Sequence, residues 1–414
     1  MVALSIASVI RDKKGGYDFL SGMLAAFAPE KVVEATGVPA KRMKELAQNF
    51  IENSPGLALG GGPSSRNSNL TSLHVSINIL NAVSGNIGKT VFFHDQPAPE
   101  NTSHQNLVQL IEDLKAGKVD LLILDDSDPL HALPNSTGVK EALKNTFTVS
   151  LASQKNDTSS EADLQLPALT DYESWGDAFP RSGVRSIRQP VMAPVSLFEA
   201  KAREDVMLAA AKAVNPESFE GISDYRDFIR KEWQNIQQDT GDRSHFDQFW
   251  VKVLEEGGLF SKPNLKSVSL KDEVGQLKIA ETKISGTGLT LIPTTSLFHG
   301  DGRGARNPWL QEVPDPMSQI VWDSWVEINP DTAKKMGIKD RSVVQLQTSQ
   351  GSVKATAYYH FGIHRDAIAI PIGQGHENSG DVADGFGVNV MNLLPTEMDE
   401  SGSLALVTLS LIHI

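Results

Sequence analysis

The sequence predicts an α/β fold: a doubly wound, mostly parallel sheet domain, a helical appendage, and a small C-terminal β-barrel. Three observations carry this. Helical stripes alternate with short apolar strands up to about Pro167, Val119 to Leu124 (VDLLIL) is a continuous apolar run, and strands dominate beyond Trp325. A length of 414 residues suits two or three domains at roughly 150 residues each. The boundaries read as 1–200 for the sheet domain, 201–285 for the appendage and 286–408 for the barrel.

Each element has its own signal. Met43, Leu46, Ala47 and Phe50 recur at helical spacing behind Pro39, and Pro55-Gly56 ends that helix. Leu57-Ala58-Leu59 reads as a strand stopped by Gly60-Gly61-Gly62. Leu70, Leu73, Ile77 and Leu80 mark a second helix closed by Gly85, and Leu107, Leu110, Ile111 and Leu114 a third, ended by Gly117. The VDLLIL run implies a parallel strand covered on both faces. Glu141 to Leu143 is a short helix, Phe147 to Leu151 a strand, and Ala162 to Leu166 leads into Pro167. Asp171 to Glu204 reads as a long surface connection. Helices follow at Asp205 to Val214, Tyr225 to Trp233 and along Phe246, Phe249, Trp250 and Val253. In the barrel, Trp325 to Ile328 is a strand, Asn329 an N-cap and Pro330 the first helical residue. Further strands are Val343 to Thr348, Val353 to Tyr359 and Ala367 to Ile370.

Composition excludes several functions. Lys and Arg number 38 against 51 Asp and Glu, a net charge of -13 with no basic block, so nucleic acid has no electrostatic footprint. The chain has no cysteine and carries no disulfide, thiolate zinc site or cysteine-ligated iron–sulfur cluster. No apolar run reaches the roughly 18 residues of a spanning helix, and Met1 to Arg11 lacks the order of a secretory signal. Met1 reads as an internal start. Leu409 to Ile414 match a sequencing adapter translated in frame, so they are expected to be foreign to the fold.

Several constellations have two readings. Gly60-Gly61-Gly62 before a helix suits either a phosphate contact or a plain turn. Asp125-Asp126-Ser127-Asp128-Pro129 stands at a strand end where open sheets bind ligands, and Asp128 equally suits a helix cap. His299, in His299-Gly300-Asp301-Gly302-Arg303-Gly304, lies in a solvated loop or a ligand-covering one, and His376 in Gly373 to Asn378 is similar. His360 and His364, four apart on a strand, would lie about 13 Å from each other, too far to share an ion. No metal site is expected. Hydrolase and phosphotransferase motifs are missing.

Three stretches together resemble the molybdopterin oxidoreductases of the dimethyl-sulfoxide-reductase superfamily. They are Asp157 to Asp177 with its ADLQLP strand, Trp325 to Tyr359 with NPDTAKKMGI, and Leu57 to Gly62 with Leu122 to Pro134. Asn81 to Thr90, Asp301 to Glu312 and Ile370 to His376 are similar to the molybdopterin-like iron–sulfur subunit of alternative complex III, with polysulfide-reductase-like subunits next. The resemblance implies a double-psi-type barrel and a molybdopterin guanine dinucleotide site lined by Gly60, Gly61, Gly62, Asp128, Asp163, His299 and Asn389. It assigns no catalytic residue to this chain. It also implies a peripheral place on the extracytoplasmic, periplasmic face of the inner membrane, respiratory partner subunits, and a ferredoxin-like iron–sulfur part outside this chain.

Where cofactor-holding members have Gly-x-Asn-Pro, this chain has Asp126-Ser127-Asp128-Pro129, which sets negative charge where a phosphate would sit. A second departure, Arg341-Ser342 for Gly-Asp, reads as turn variation. The expectation is therefore a subunit that supports quinol-linked electron transfer with a vestigial cleft, inactive as this chain alone. The rivals are an active molybdenum oxidoreductase of polysulfide-reductase type and a non-redox binding scaffold.

Overall fold

The computed structural model describes residues 1–61, 70–94, 104–278, 288–396 and 407–413. Two compact units share the chain: Met1–Asp95 with Asn264–Thr294 and Glu397–Leu409, and Gln96–Pro263 with Thr295–Thr396 and Ser410–Ile414. Both are built from separate segments, so they cut across boundaries read along the sequence at 200 and 285. No helix among the described residues is long and apolar enough to cross a membrane.

The first unit is helical. Helix α1 (Val2–Lys14) buries Leu4, Ala7 and Ile10 against α2 (Ala40–Glu52) and α3 (Leu70–Ser84), where Ala47, Ile79, Leu80 and Val83 complete the core. Each large aliphatic side chain so buried contributes about 1.5–3 kcal/mol. Pro39 is the N-cap of α2, and Gly85, at φ 77°, follows α3 as its spacing predicts. The expected strand Leu57–Leu59 is not one. The Asn81 side chain replaces the strand partner: its Oδ1 accepts from Ala58 N at 2.9 Å and its Nδ2 donates to Ala58 O at 2.9 Å.

The second unit holds the parallel sheet, with β1 (Leu121–Asp125), β2 (Phe147–Ala152) and β3 (Leu164–Pro167) in sequential order. Leu121 pairs with Phe147 and Val149 with Leu164. The strands advance in one direction, so the winding is single among the described residues. Helices α4 (His104–Lys115) and α5 (Val139–Leu143) cover one face through Ile111, Leu114, Val139 and Ala142. The opposite face is not sealed, contrary to the reading of VDLLIL: Leu121 is 53% and Ile123 38% exposed. A short helix α6 (Asp157–Glu161) leads from β2 toward β3, opened by a capping box in which Asn156 and Ser159 bond reciprocally.

The presumed surface connection from Asp171 contains a hairpin, β4 (Gly176–Arg181) and β5 (Val184–Arg188), joined by β6 (Gly258–Phe260). Gly183 at φ 79° makes the turn. Helices α7 (Arg203–Val214), α8 (Tyr225–Thr240) and α9 (Phe246–Glu256) follow, and Trp233, Phe249, Trp250 and Val253 pack against Ile187.

In the first unit β7 (Leu289–Thr295) pairs antiparallel with Val407–Leu409, and in the second β8 (Trp325–Ile328), β9 (Val343–Gln347), β10 (Ser352–Tyr359) and β11 (Ala367–Ile372) form a mixed sheet in the order β11-β8-β10-β9, which the end of β12 (Val407–His413) extends beside β9. β8 runs parallel to β10 and antiparallel to β11. Strand β12 draws in residues the sequence reading set outside the fold, pairing Val344 with His413 and Gln347 with Ser410. Asn329 caps α10 (Pro330–Lys335) as expected, its Oδ1 accepting from Asp331 N at 3.0 Å.

Candidate functional site

The polar centre of the second unit is built on α6 and on loops that sequence patterns mark only as irregular. Asp157, the first residue of α6, is buried and faces the segment after β11. Its Oδ1 accepts from Glu377 N at 2.9 Å and Asn378 N at 2.6 Å. Its Oδ2 accepts from His376 Nδ1 at 2.6 Å and Ser379 Oγ at 3.2 Å. The other His376 nitrogen, Nε2, lies 3.1 Å from Gly302 O. A carbonyl oxygen only accepts, so Nε2–H donates to Gly302 O while Nδ1 faces the Asp157 carboxylate. Burial alone would push the Asp157 carboxyl up, but His376 and the two backbone N–H groups hold it well below the usual carboxylate range.

His131 stacks on the His376 ring, with ring centroids 3.7 Å apart and planes 13° from parallel. Burial, reinforced by the neighbouring His376, drives His131 down to about 4, so it is neutral at pH 7. Asn389 Nδ2 donates to His131 O at 3.0 Å and lies 3.4 Å from His131 Nδ1. Gly302, at φ 117°, closes the other side: a Cβ there would lie 2.6 Å from His131 Cδ2 and 2.7 Å from its Nε2. Only glycine permits that approach.

His131, Asp157 and His376 place ligand atoms within 4.8 Å of one another, a grouping the sequence reading missed when it expected no metal site. Its geometry suits an ion pair. Imidazole lone pairs lie in the ring plane, so two stacked rings do not aim them at one point, and a metal would have to displace the Asp157–His376 bond.

The other expected site residues divide. Asp128 lies beside the centre, where its Oδ1 accepts from Thr158 N at 3.0 Å and Thr158 Oγ1 at 2.7 Å. It precedes the single turn Pro129–Ala132 without a side-chain capping bond, so the cap reading fails. Burial raises its pKa against those two bonds. His299 is buried, its Nδ1 3.4 Å from Ser296 Oγ, and burial lowers its pKa. The solvated-loop reading fails for His299 and for His376. Asp163 lies apart, at the amino end of the sheet, where its Oδ2 accepts from Thr148 N at 2.7 Å and Thr148 Oγ1 at 2.9 Å. Those bonds lower its pKa, and its work is to join β2 to β3. Gly60 and Gly61 belong to the first unit. A Cβ on either would meet α3 side chains at 2.6 Å, which favours close packing over phosphate contact as their reason. Gly62 lies outside the described residues. Histidines 360 and 364 hold no common ligand: His360 Nδ1 bonds Glu327 Oε2 at 2.7 Å, and His364 Nδ1 accepts from Asp366 N at 3.2 Å.

Two cavities flank the centre within the second unit. One, of about 360 Å³, is lined by His131, Asp157, Asn378, Asn389 and Lys140. The other, of about 550 Å³, opens at the carboxyl end of β1 between Asp125, Asp126, Asp128, Asp301, Arg303 and Arg306 over an apolar floor from α4. Asp125 is paired with Arg203 at 3.0 Å, and Asp301 with Arg303 at 2.9 Å.

Residues 303–403 match the molybdopterin dinucleotide binding domain. Across 410 residues, 95% of this chain, the sequence is 24% identical to the menaquinone reductase, molybdopterin-binding-like subunit of Nitratidesulfovibrio vulgaris and spans 57% of its length. It is 22% identical over 298 residues to the assimilatory nitrate reductase catalytic subunit of Bacillus subtilis, covering 64% of this chain and 39% of that one. The chain thus spans about half the length of these curated relatives. In fold it is similar to acetylene hydratase from Pelobacter acetylenicus, with a TM-score of 0.66 at 15% identity over all of this chain and 70% of that one.

Proposed function

Because the chain belongs to the molybdopterin oxidoreductase superfamily, we propose that it is part of a molybdopterin-binding-like subunit of a membrane-associated respiratory complex, supporting quinol-linked electron transfer while its own cleft holds no dinucleotide. The relative named as a menaquinone reductase subunit supports the quinone link. In this reading the barrel is of double-psi type, the chain is akin to the molybdopterin-like iron–sulfur subunit of alternative complex III, and the subunit sits on the periplasmic face with a ferredoxin-like iron–sulfur part and other respiratory subunits as partners.

The observation that carries the empty cleft is the wall at the carboxyl end of β1. Arg203 neutralises Asp125 and Arg303 neutralises Asp301, which leaves the carboxylates of Asp126 and Asp128 facing the single guanidinium of Arg306 among the charged groups of that wall. A diphosphate would add charge of the same sign to that wall; at 4–8 Å and an effective dielectric near 20 each such pair opposes binding by about 2–4 kcal/mol. The residues present do not fit a pterin guanine dinucleotide. The test is the chain purified from a host that makes the cofactor, followed by metal analysis and by oxidative release of pterin read as fluorescence. No pterin and no molybdenum or tungsten is the expected result; about one of each per chain would overturn the reading.

One observation favours an active molybdenum enzyme of polysulfide-reductase type. Arg306 is 9% exposed and lines the same cavity; its Nε has no hydrogen-bond partner among the described residues and its Nη1 reaches two carbonyls at 3.4 Å. Such a cation would receive a phosphate.

A further inference from the structure

The outer end of the hairpin β4–β5, with β6 beside it, carries aromatic rings and cations that the polar centre does not use. Gly183 makes the turn, and its carbonyl accepts from Ser261 N at 2.7 Å, which pins Ser261 and Lys262 beside the tip. A Cβ at Gly183 would lie 2.3 Å from Ser261 O, so the tip is closely packed before anything binds it. Two large rings stand out from it, Phe179 at 42% and Phe260 at 61% exposure. Phe260 is paired with Val184 and shares its face of the sheet. Arg185, the next residue, points to the opposite face, where its guanidinium lies 4.0 Å from the centroid of the Phe179 ring. The tip thus has one exposed ring on each face.

Three cations surround these rings. Arg185 covers Phe179, and neither Arg181 nor Lys262 has a carboxylate partner among the described residues. In a chain of net charge -13 this is a local reversal of sign. The carboxylates near the base of the hairpin are engaged elsewhere: Asp177 accepts from Trp233 Nε1 at 3.2 Å, and Asp171 is paired with Arg188 at 2.8 Å. Asp177 is also four strand residues from Arg181, about 13 Å. That exceeds the Debye length of about 10 Å at 0.1 M salt, so the cations of the tip are felt beyond it.

A protein partner docks on one face of a sheet. Rings on both faces of a narrow tip are covered together by a medium that surrounds it, and a headgroup layer bearing phosphates also answers the unpaired cations. We propose that this tip is a membrane contact in which Phe179 and Phe260 enter the headgroup region of an anionic bilayer while Arg181, Arg185 and Lys262 meet lipid phosphates. The contact lays the membrane-associated subunit of the reading above on its bilayer, and the proposal rests on that reading for the membrane alone. Two rings and three cations make it weak and reversible.

Co-sedimentation of the full chain with phosphatidylglycerol–phosphatidylcholine vesicles tests it, with pure phosphatidylcholine vesicles as the neutral control. Binding to the anionic vesicles alone is expected, with release at about 0.5 M salt. Arg181→Gln combined with Lys262→Gln should weaken it by roughly fivefold per charge removed. Phe179→Ser combined with Phe260→Ser should weaken it at low salt too, with the melting transition of the chain still cooperative because both rings are exposed. Equal binding to neutral vesicles, or unchanged binding by either folded variant, would overturn the proposal. Absent vesicle binding would overturn it as well, in favour of an acidic cleft on a partner protein. Pterin and metal content read on the same preparation keep the two readings apart, since an empty cleft with no vesicle binding sinks only the membrane contact.

Discussion

At the carboxyl end of the parallel sheet, Asp157 is buried, accepts four hydrogen bonds and faces the His376 imidazole; at the amino end, six residues later in the same motif, Asp163 is exposed and accepts two bonds from Thr148. Both have lowered pKa values, but for different reasons. Asp157 owes its charge to His376 and two backbone N–H groups in a dry setting, where removing the acceptor strands its donors. Asp163 owes its charge to local bonds within reach of water, where solvent replaces what is lost. Two acids of one motif thus divide into a centre that fastens separate segments and a clip that joins neighbouring strands.

Removing each acid in turn should separate the two ends of the sheet. Asp157→Ala strips His376 Nδ1, Ser379 Oγ and the N–H groups of Glu377 and Asn378 of their buried acceptor and should cost about 3–5 kcal/mol in urea unfolding. Asp163→Ala should move the midpoint far less. Equal shifts would show that burial does not separate the two ends.

Acid titration tests the same contrast at His131. Its folded value of about 4 lies below the ordinary 6.5, so between those values the unfolded chain binds a proton that the folded chain refuses. Stability should be full above pH 6.5, fall as the pH drops toward 4 and then level from this cause, a loss on the order of 3 kcal/mol. The depressed Asp157 adds a loss of the same sign below its ordinary 3.8. His131→Phe keeps a ring on the stack and should flatten the slope between pH 6.5 and 4 in urea midpoints measured across that window; an unchanged slope would place the titration elsewhere.

The smallest effect calibrates a local bond far from the centre. Asn329 caps α10 and also donates from Nδ2 to Ile363 O at 3.0 Å. Asn329→Ala should cost about 1 kcal/mol by the same urea assay. A shift as large as that of Asp157→Ala would mean that local capping and buried ion pairing are not distinguishable here.

Sequence patterns reveal what depends on neighbours along the chain. Asn329-Pro330 fixes a helix start, the ADLQLP strand lies within two residues of its expected place, and the helical stripes near residues 43–50 and 107–114 fold as helices. They do not reveal pairings over long separations. His376 meets Asp157 across 219 residues, and Leu57–Leu59 lost its strand because the Asn81 amide supplied the backbone bonds. Two local signals were present. Asn156-x-x-Ser159 marks a capping box that aims Asp157 inward, and the glycine-dense run at Gly300–Gly304 marks a backbone that must approach something closely, here the two imidazoles at Gly302. The hairpin at Gly176–Arg188 is hidden because β4 is exposed along nearly its whole length and lacks an apolar face.

If the acidic wall at the carboxyl end of β1 keeps a dinucleotide out, calorimetry with guanosine diphosphate will read it. The comparison is the native chain against the double variant Asp126→Gly, Asp128→Asn. Glycine suits position 126, where φ is 46°, and asparagine keeps an oxygen for Thr158. Removing the two charges should gain on the order of 1 kcal/mol each for a phosphate within about 10 Å at an effective dielectric near 20. No heat is expected from the native chain and weak binding, beside Arg306, from the variant. Tight, stoichiometric binding by the native chain would show that the wall does not exclude a diphosphate.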